Sequence, residues 1–540
     1  RTCVTDGDTL GFKLTVARKT MPPRRQPRGL LWSCINSTSK MVLAQTLSSP
    51  HPQQEVITRE LLNRYIPPLL IQDVLNSVLR RLATHHSALA SHSVVSSLLN
   101  ILLHPQITDL QLADLSYIGS VELETLDKVE LTLMNLLPSM TQLTQLNLST
   151  HHYKITLPSC SSGILQILGR SCPNLKRLNL NNNNRVTGEG LLHLYPTEHQ
   201  AGCINLEELF LQDCSIDAED VAMLIHCFPN LQLVGYKELG TSLQILKSQP
   251  KKFGRKTRRR TLYEYSLKLT HVDNTLSRVQ KCDGEIVDFI CEACPNIENL
   301  KVRVCDKDVG KLRKLHKLKH LELRFYTGLH HPIESSTISY FKSHGSHLAS
   351  LTIFCNHLYS NHVQIIAEHC FNLTKLFLHA NVAVADRCLA SCVSKLQKLE
   401  VLNLRLGHDE LIVSPRACEL VCFLLSEAYL LQELYLLVRC HGVHDFFITT
   451  LLHTNPLLHL KVLIADAPRR TLSAPMLELT IDTAWLLINS CQHLHLLGNL
   501  ICWNVTPEEV EALKSVSRSR NYSLKVIYSH SNKLNDKMNV

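Results

Sequence analysis

A six-residue pattern of hydrophobic positions, apolar-x-x-apolar-x-apolar, recurs along most of this 540-residue chain. Copies that begin at Leu143, Leu175 and Leu206 follow one another at steps of about 30 residues, a spacing that is typical of repeat proteins. The last two apolar positions of each copy alternate with a residue that points the other way, as in a strand with one buried face. Further copies begin at Ile107, Ile297, Leu318, Leu348, Leu373, Leu399 and Leu431.

Helical patterns separate consecutive copies of this frame. Residues 217–228 place Val221, Leu224 and Ile225 on one side of a helix, and residues 362–370 show the same spacing. One strand and one helix cannot bury their own apolar faces, so neighbouring units must stack and share a core, with their strands parallel. The pattern therefore predicts an α/β solenoid.

Several of the 20 cysteines of the chain follow the same repeat. Cys172, Cys294 and Cys370 each stand three residues before the first apolar position of a copy. A thiol that recurs once per repeat at a helix end acts as a small buried hydrophobe, and the proline after Cys172 and Cys294 ends the helix. Free thiols favour a reducing compartment, so we expect the protein in the cytoplasm, with the nucleus as the alternative.

Over residues 105–505 these features resemble the cysteine-containing class of leucine-rich repeats that is found in F-box substrate receptors. The resemblance implies an open, curved α/β leucine-rich-repeat solenoid, with parallel strands on its concave face and helices on its convex face. It also implies the leading function, substrate recognition for a cullin-type ubiquitin ligase. The alternative is a repeat scaffold or regulator without a ligase link, because a fold alone does not determine function.

Residues 51–104 lack the frame and have helical patterns, with Ile57, Leu61 and Tyr65 on one apolar face. Three interpretations stand: a cap on the first repeat, a degenerate F-box-like module, or the related helical box that recruits elongin. Recruitment of a ligase requires an exposed apolar face here, whereas a cap requires that face to be buried. The resemblance to an F-box implies contact with a cullin-linked adaptor through Ile66, Pro67, Leu69, Leu70, Val74 and Leu79.

Side chains that lie between the buried strand positions should face the concave surface, where a protein partner would bind. Aromatic residues and arginines are the preferred anchors of interfaces. In the second half of the array, the aromatic residues and arginines at these positions predict a groove that binds a protein surface with acidic and apolar residues. The alternative is that the rings pack on neighbouring strands or lie under the C-terminal segment. The candidate partner-binding residues are Phe210, Arg303, Arg324, Phe354, Phe377, Arg405 and Tyr435.

Composition and motifs argue against catalysis and against nucleic-acid binding. The net charge of +9 is small for this length, and much of the excess falls in a basic loop at residues 247–261. That loop is interpreted as a solvated loop, a nuclear-import signal or a contact for an acidic partner. No glycine-rich phosphate loop occurs, and the lone pair Cys291 and Cys294 lacks the second pair that a zinc site needs. We therefore expect no enzymatic activity, no metal and no cofactor.

The two ends of the chain lie outside the repeat. Residues 1–50 are predicted to be unstructured or a non-native leader, with Met21 or Met41 as the native start. Residues 506–540 are predicted to form a C-terminal cap and a tail. No apolar run approaches the length of about 18 residues that a transmembrane helix needs, so we expect no membrane partner.

Overall fold

The computed structural model of this chain contains two compact units, one within residues 26–340 and the other comprising residues 341–540. We call them the first and the second unit. The structure describes residues 29–48, 52–85, 92–113, 123–150, 160–196, 200–228, 230–248, 268–274, 284–325, 333–384, 389, 394–406, 417–438, 443–466 and 477–528.

The first unit begins with four helices and continues as an alternation of strands and helices. The opening helices are α1 (Leu30–Ser48), α2 (Pro52–Tyr65), α3 (Pro68–His85) and α4 (His92–Leu102). The strands are β1 (Asp109–Gln111), β2 (Gln145–Asn147), β3 (Arg177–Asn179), β4 (Glu208–Phe210), β5 (Leu233–Gly235), β6 (His271–Asn274), β7 (Asn299–Val304) and β8 (His320–Phe325). The helices among them are α5 (Leu123–Leu136), α6 (Ser162–Ser171), α7 (Gly188–Leu192), α8 (Ala218–Cys227), α9 (Leu239–Ser248), α10 (Gly284–Ala293) and α11 (Asp306–Val309).

Helix α12 (Ser335–His344) contains the division, and the second unit continues the same alternation. Its strands are β9 (Ser350–Tyr359), β10 (Lys375–Val384), β11 (Val401–Leu406), β12 (Glu433–Val438), β13 (Val462–Asp466), β14 (Leu496–Gly498) and β15 (Lys525–Val526). Its helices are α13 (Ser360–His369), α14 (Ala417–Leu425), α15 (Asp445–Thr454), α16 (Ile481–Ser490) and α17 (Pro507–Ser519).

Within each unit every strand pairs in parallel with the next strand along the chain. The register joins equal positions of the repeat frame: Leu146 faces Leu178, and Leu178 faces Leu209. These leucines are at most 1% exposed, because this side of the sheet is covered by the core. The predicted α/β leucine-rich-repeat solenoid is thereby confirmed.

The cysteine and asparagine of the inter-repeat turn connect neighbouring repeats. The Cys172 thiol is fully buried and donates a weak hydrogen bond to the Met140 carbonyl, with 3.7 Å between sulfur and oxygen. Burial raises the pKa of this thiol to about 12, so it stays neutral. The Asn174 amide donates to the Thr141 carbonyl at 3.1 Å. The recurring cysteine and asparagine thus satisfy backbone carbonyls of the preceding turn.

Helix α1 lies within the segment that the sequence predicted to be unstructured, so the prediction for residues 1–50 is wrong for residues 30–48. It packs against α3 and α4 and buries Val42 and Leu43. The polar residues that weaken its sequence signal are buried as well. The hydroxyls of Ser39 and Thr46 donate to backbone carbonyls one turn back, at 2.6 and 2.8 Å, so their burial leaves no unsatisfied donor. Residues 1–28 lie outside the described residues.

The end of the second unit departs from the predicted limit of the array at residue 505. Strand β15 pairs with β14, so the sheet continues to Val526. Helix α17 begins with a capping box in which Thr506 and Glu509 each accept a hydrogen bond from the other's backbone N–H. The predicted tail beyond residue 528 lies outside the described residues.

Candidate functional site

One face of the second unit's sheet carries the side chains that alternate with the buried leucines. The strand registers place Phe377 beside Thr352 and Asn403, and Asn403 beside Tyr435. We call this surface the ladder face. It comprises Thr352, Phe354, Phe377, His379, Asn403, Arg405, Tyr435, Leu437 and Ile464.

An aromatic, an imidazole and a guanidinium group follow one another across the ladder face. Phe354 on β9 is in register with His379 on β10, which is in register with Arg405 on β11. The rings of Phe354 and His379 lie 5.1 Å apart between centroids, in a tilted arrangement. Phe377 stands two residues before His379, and so on the same face. All four side chains are half-buried, so the structure brings the predicted residues Phe354, Phe377 and Arg405 together.

Tyr435 differs from its prediction, because it is only 9% exposed. Its hydroxyl donates a hydrogen bond to the Glu433 carboxylate at 2.7 Å. Burial and the neighbouring carboxylate both raise the pKa of this phenol above its ordinary range. The adjacent ladder residues Leu437 and Ile464 are 6% and 1% exposed, so this end of the face is covered. Tyr435 is therefore a packed residue, as the alternative interpretation expected, and not a solvent-facing anchor.

In the first unit, Phe210 also lies against the sheet. The Arg177 guanidinium sits 5.1 Å from the centre of its ring. On the next strand, a Cβ added to Gly235 would lie 2.7 Å from Cδ1 of Phe210. The ring thus occupies the space that the glycine leaves, and it is half-buried in this packing. Arg177 was missed by sequence reasoning, although it stands in the strand two residues before a ladder position.

Arg303 and Arg324 are in register on adjacent strands of the first unit. The Arg324 guanidinium donates to Glu322 at 2.6 Å, and the Lys301 ammonium lies 3.7 Å from the same carboxylate. Two strands separate Phe210 from this pair, so the predicted first-unit residues do not form one site.

The opening helices bury most of the predicted adaptor-binding face. Val74 and Leu79 are 2% and 4% exposed, so the prediction that they contact an adaptor is wrong for this structure. Helix α3 packs against α1, a helix that the sequence did not predict. Ile66 and Leu70 are half-buried and Pro67 is exposed, whereas the Leu69 side chain lies outside the described residues.

Helix α3 also caps the sheet. The Gln72 amide donates to the carbonyl of Asp109 at 2.6 Å and accepts from the N–H groups of Thr108 and Asp109 at 3.2 Å. These bonds replace a missing neighbour strand along the free side of β1. An exposed apolar surface remains on α2 instead. Val56, Ile57, Leu61 and Tyr65 are 58%, 56%, 47% and 69% exposed.

The remaining candidate features of the sequence are the Cys291 and Cys294 pair and the basic loop. Cys291 and Cys294 are buried, and burial raises the pKa of each thiol to about 12. Among the described residues, no three His, Cys, Asp or Glu side chains lie together as metal ligands would. Nor does any helix in this part of the chain have the length and apolar character to cross a membrane. Most of the basic loop at residues 247–261 lies outside the described residues.

Comparisons with known proteins find structural neighbours only. No family model and no curated protein matches the sequence. An internalin (inlF) from Listeria monocytogenes is 14% identical with a TM-score of 0.33, over 87% of this chain and 98% of that chain. A leucine-rich-repeat protein from Leptospira interrogans is 15% identical with a TM-score of 0.32, over 78% and 96%. A chain of the yeast Rad7 and Elc1 complex is 14% identical with a TM-score of 0.37, over 84% and 98%. With TM-scores this low, the similarities do not bear on what this chain binds.

Proposed function

We propose that this chain is a protein-binding repeat array whose partner docks on the ladder face of the second unit. The row of Phe354, His379 and Arg405, with Phe377 beside it, is the observation that carries this proposal. Half-buried aromatic rings next to a guanidinium group provide an apolar contact surface and several N–H hydrogen-bond donors within one small area.

The chemistry of this row favours a partner with an acidic residue beside an apolar one. Arg405 is in register with Leu437, which is buried, so the guanidinium has an apolar neighbour on one side. A low local dielectric strengthens the attraction between the guanidinium and a carboxylate. The rings of Phe354 and Phe377 would then cover an apolar side chain of the partner.

Quantitative affinity capture from cells tests this proposal. We compare the wild-type chain with the triple variant Phe354→Ala, Phe377→Ala, Arg405→Ala. Phe446→Ala is the matched control, because Phe446 is 74% exposed and lies on α15, outside the strands. Proteins that are enriched with the wild type and the control should be lost with the triple variant. If a triple variant with unchanged melting temperature captures the same proteins equally well, the ladder face is not the binding site.

The finer part of the proposal is that the array presents its partner to a cullin-type ubiquitin ligase. It is supported by the sequence resemblance around Ile66 and Pro67, and by the exposed apolar residues on α2. Because Val74 and Leu79 are buried, an adaptor would have to use α2.

Point substitutions on α2 test this link without removing the cap. Ile57→Glu with Leu61→Glu should abolish co-purification of cullin and its adaptor, whereas Gln54→Glu on the same exposed helix should not. If neither the wild type nor the control retains a cullin, the chain is a repeat scaffold without a ligase link, which is the alternative function.

A further inference from the structure

The turns that lead into the strands of the second unit lie side by side and form a continuous edge. Backbone N–H groups join each turn to the one before it: Gln432 to Glu400 at 2.7 Å, Lys461 to Gln432 at 2.7 Å and His495 to Lys461 at 2.8 Å. We call this surface the turn edge and define it as residues 371–375, 395–400, 426–432, 456–461, 492–495 and 520–525. Neighbouring turns are therefore about one strand spacing apart, ~4.8 Å.

Exposed charges on the turn edge are of one sign. Its two acidic residues, Glu400 and Glu427, are half-buried. The exposed charged residues of the edge are Lys375, Lys395, Lys398, Lys461, Arg520 and Lys525.

The lysines at the centre of the turn edge are held by neutral groups. The Lys398 ammonium donates to the Asn372 side-chain carbonyl, and that of Lys461 donates to Gln432, both at 2.7 Å. No carboxylate pairs with either lysine in the part of the second unit that the structure describes. In the first unit, Lys317 and Lys268 also donate to asparagine side chains, at 2.7 and 2.9 Å, whereas two other turn lysines are ion-paired. Lys176 pairs with Glu207 and Lys319 with Glu298, each at 3.0 Å.

Three exposed apolar side chains lie in the two turns that follow Lys398 along the edge, the second of which carries Lys461. Tyr429 and Leu430, in the turn before β12, are 46% and 45% exposed, and Leu458, in the turn before β13, is 42% exposed. Adjacent apolar side chains beside uncompensated cations are typical of a docking surface.

We propose that the turn edge binds an acidic amphipathic helix of a partner protein, at a site separate from the ladder face. The turns of Lys398 and Lys461 are two strand spacings apart, about 10 Å. This matches the rise of seven helical residues, also about 10 Å. Acidic residues at positions i and i+7 can therefore reach both ammonium groups, while apolar residues at i+3 and i+4 cover Tyr429, Leu430 and Leu458.

A membrane and a single-stranded nucleic acid are the other ligands for a basic surface with exposed apolar side chains. Leucines can insert into a membrane interface, and the exposed Tyr429 offers a ring on which a base can stack, so both ligands are outcomes of the test. A protein helix uses both the charges and the leucines.

Fluorescence anisotropy with the full-length chain tests this inference. The probe is a labelled alanine-based peptide with Glu at i and i+7 and Leu at i+3 and i+4. Saturable binding is expected, and it should weaken as salt is raised, because exposed ion pairs are screened. Lys398→Gln with Lys461→Gln should weaken binding about five- to tenfold. Leu430→Ser with Leu458→Ser should weaken it by at least as much.

The ion-paired lysines of the first unit provide the matched control. Lys176→Gln with Lys319→Gln removes the same charge and should leave binding unchanged. Equal binding by the Lys398 and Lys461 variant, or no binding of the peptide at all, would overturn the inference. So would tighter binding, through the same two lysines, of phosphatidylserine vesicles or of single-stranded DNA. The triple ladder-face variant should bind the probe normally, so failure of the proposed function is distinguishable from failure of this inference.

Discussion

The carboxylate of Asp445 in α15 accepts a hydrogen bond from the Thr480 hydroxyl at 2.7 Å and another from the Thr480 backbone N–H at 2.8 Å. Thr480 is the N-cap of α16, the helix of the next repeat. Asp445 also accepts a hydrogen bond from the Thr483 hydroxyl. The first residue of one helix thus organises the start of the next, and the two repeats are joined outside the sheet.

Asp445→Asn should destabilise the second unit. The amide keeps the shape of the carboxylate, but it loses its charge and one acceptor oxygen, which costs about 1 to 2 kcal/mol. The measurement is the free energy of unfolding from urea titration. Asp482→Asn is the control, because Asp482 is exposed in the first turn of α16. Equal stability of the two variants would show that the link between the helices is weak.

The same group makes stability depend on pH. Burial alone would raise the pKa of Asp445, but hydrogen bonds from Thr483 and Thr480 outweigh it and lower that pKa. In the first unit Asp306 behaves alike, with burial outweighed by hydrogen bonds from Thr337, Glu334 and Ser336. A carboxyl group whose pKa is lower in the folded state than in the unfolded state stabilises the folded protein at any pH above the unfolded-state pKa, about 3.9 for Asp. This stabilisation is lost as the pH falls through the folded-state pKa.

We therefore expect the urea midpoint of the wild type to fall below about pH 5, where carboxylates begin to take up protons. The variant Asp306→Asn with Asp445→Asn should show a smaller fall over the same range, because it lacks both groups. Parallel curves for wild type and variant would mean that other carboxylates dominate the acid response.

Gly235→Ala should disturb Phe210 and the stacked Arg177. The added methyl would lie 2.7 Å from the Phe210 ring, so the ring must move, and overpacking of this kind costs about 1 to 3 kcal/mol. The melting temperature of the variant measures this loss. Gly310→Ala is the control, because nothing lies within 4 Å of its added methyl. Phe210→Leu in the Gly235→Ala background should restore part of the loss, and a failure of this rescue would exclude the clash as its cause.

Gln72→Ala should destabilise the first strand of the first unit, β1, because Gln72 covers the free side of that strand. Its side chain satisfies backbone groups of Thr108 and Asp109 along β1, and each unsatisfied group costs about 1 to 3 kcal/mol unless water replaces the amide. Faster hydrogen exchange of the Asp109 amide and concentration-dependent self-association are the expected results, because an open strand edge pairs with other chains. Gln54→Ala on exposed α2 should change neither quantity.

The sequence by itself determined the repeat and the register of its strands. The frame places leucines such as Leu146, Leu178 and Leu209 at one position of consecutive units, and a slip by one residue would turn them to solvent. It also identified Cys172, Cys294 and Cys370 as core residues, because a thiol that recurs at one position of the repeat lies where the repeats meet.

Only the tertiary structure decided which ladder residues remain accessible. Alternation places Phe210, Phe377 and Tyr435 at the same position of the repeat frame, yet Phe210 lies over Gly235 and Tyr435 is buried. The packing of α3 against α1 likewise depends on a helix whose polar residues hide its signal. Periodicity tells which side of a strand or helix a residue occupies. Whether that side is covered depends on residues far along the chain, and their proximity exists only in the folded molecule.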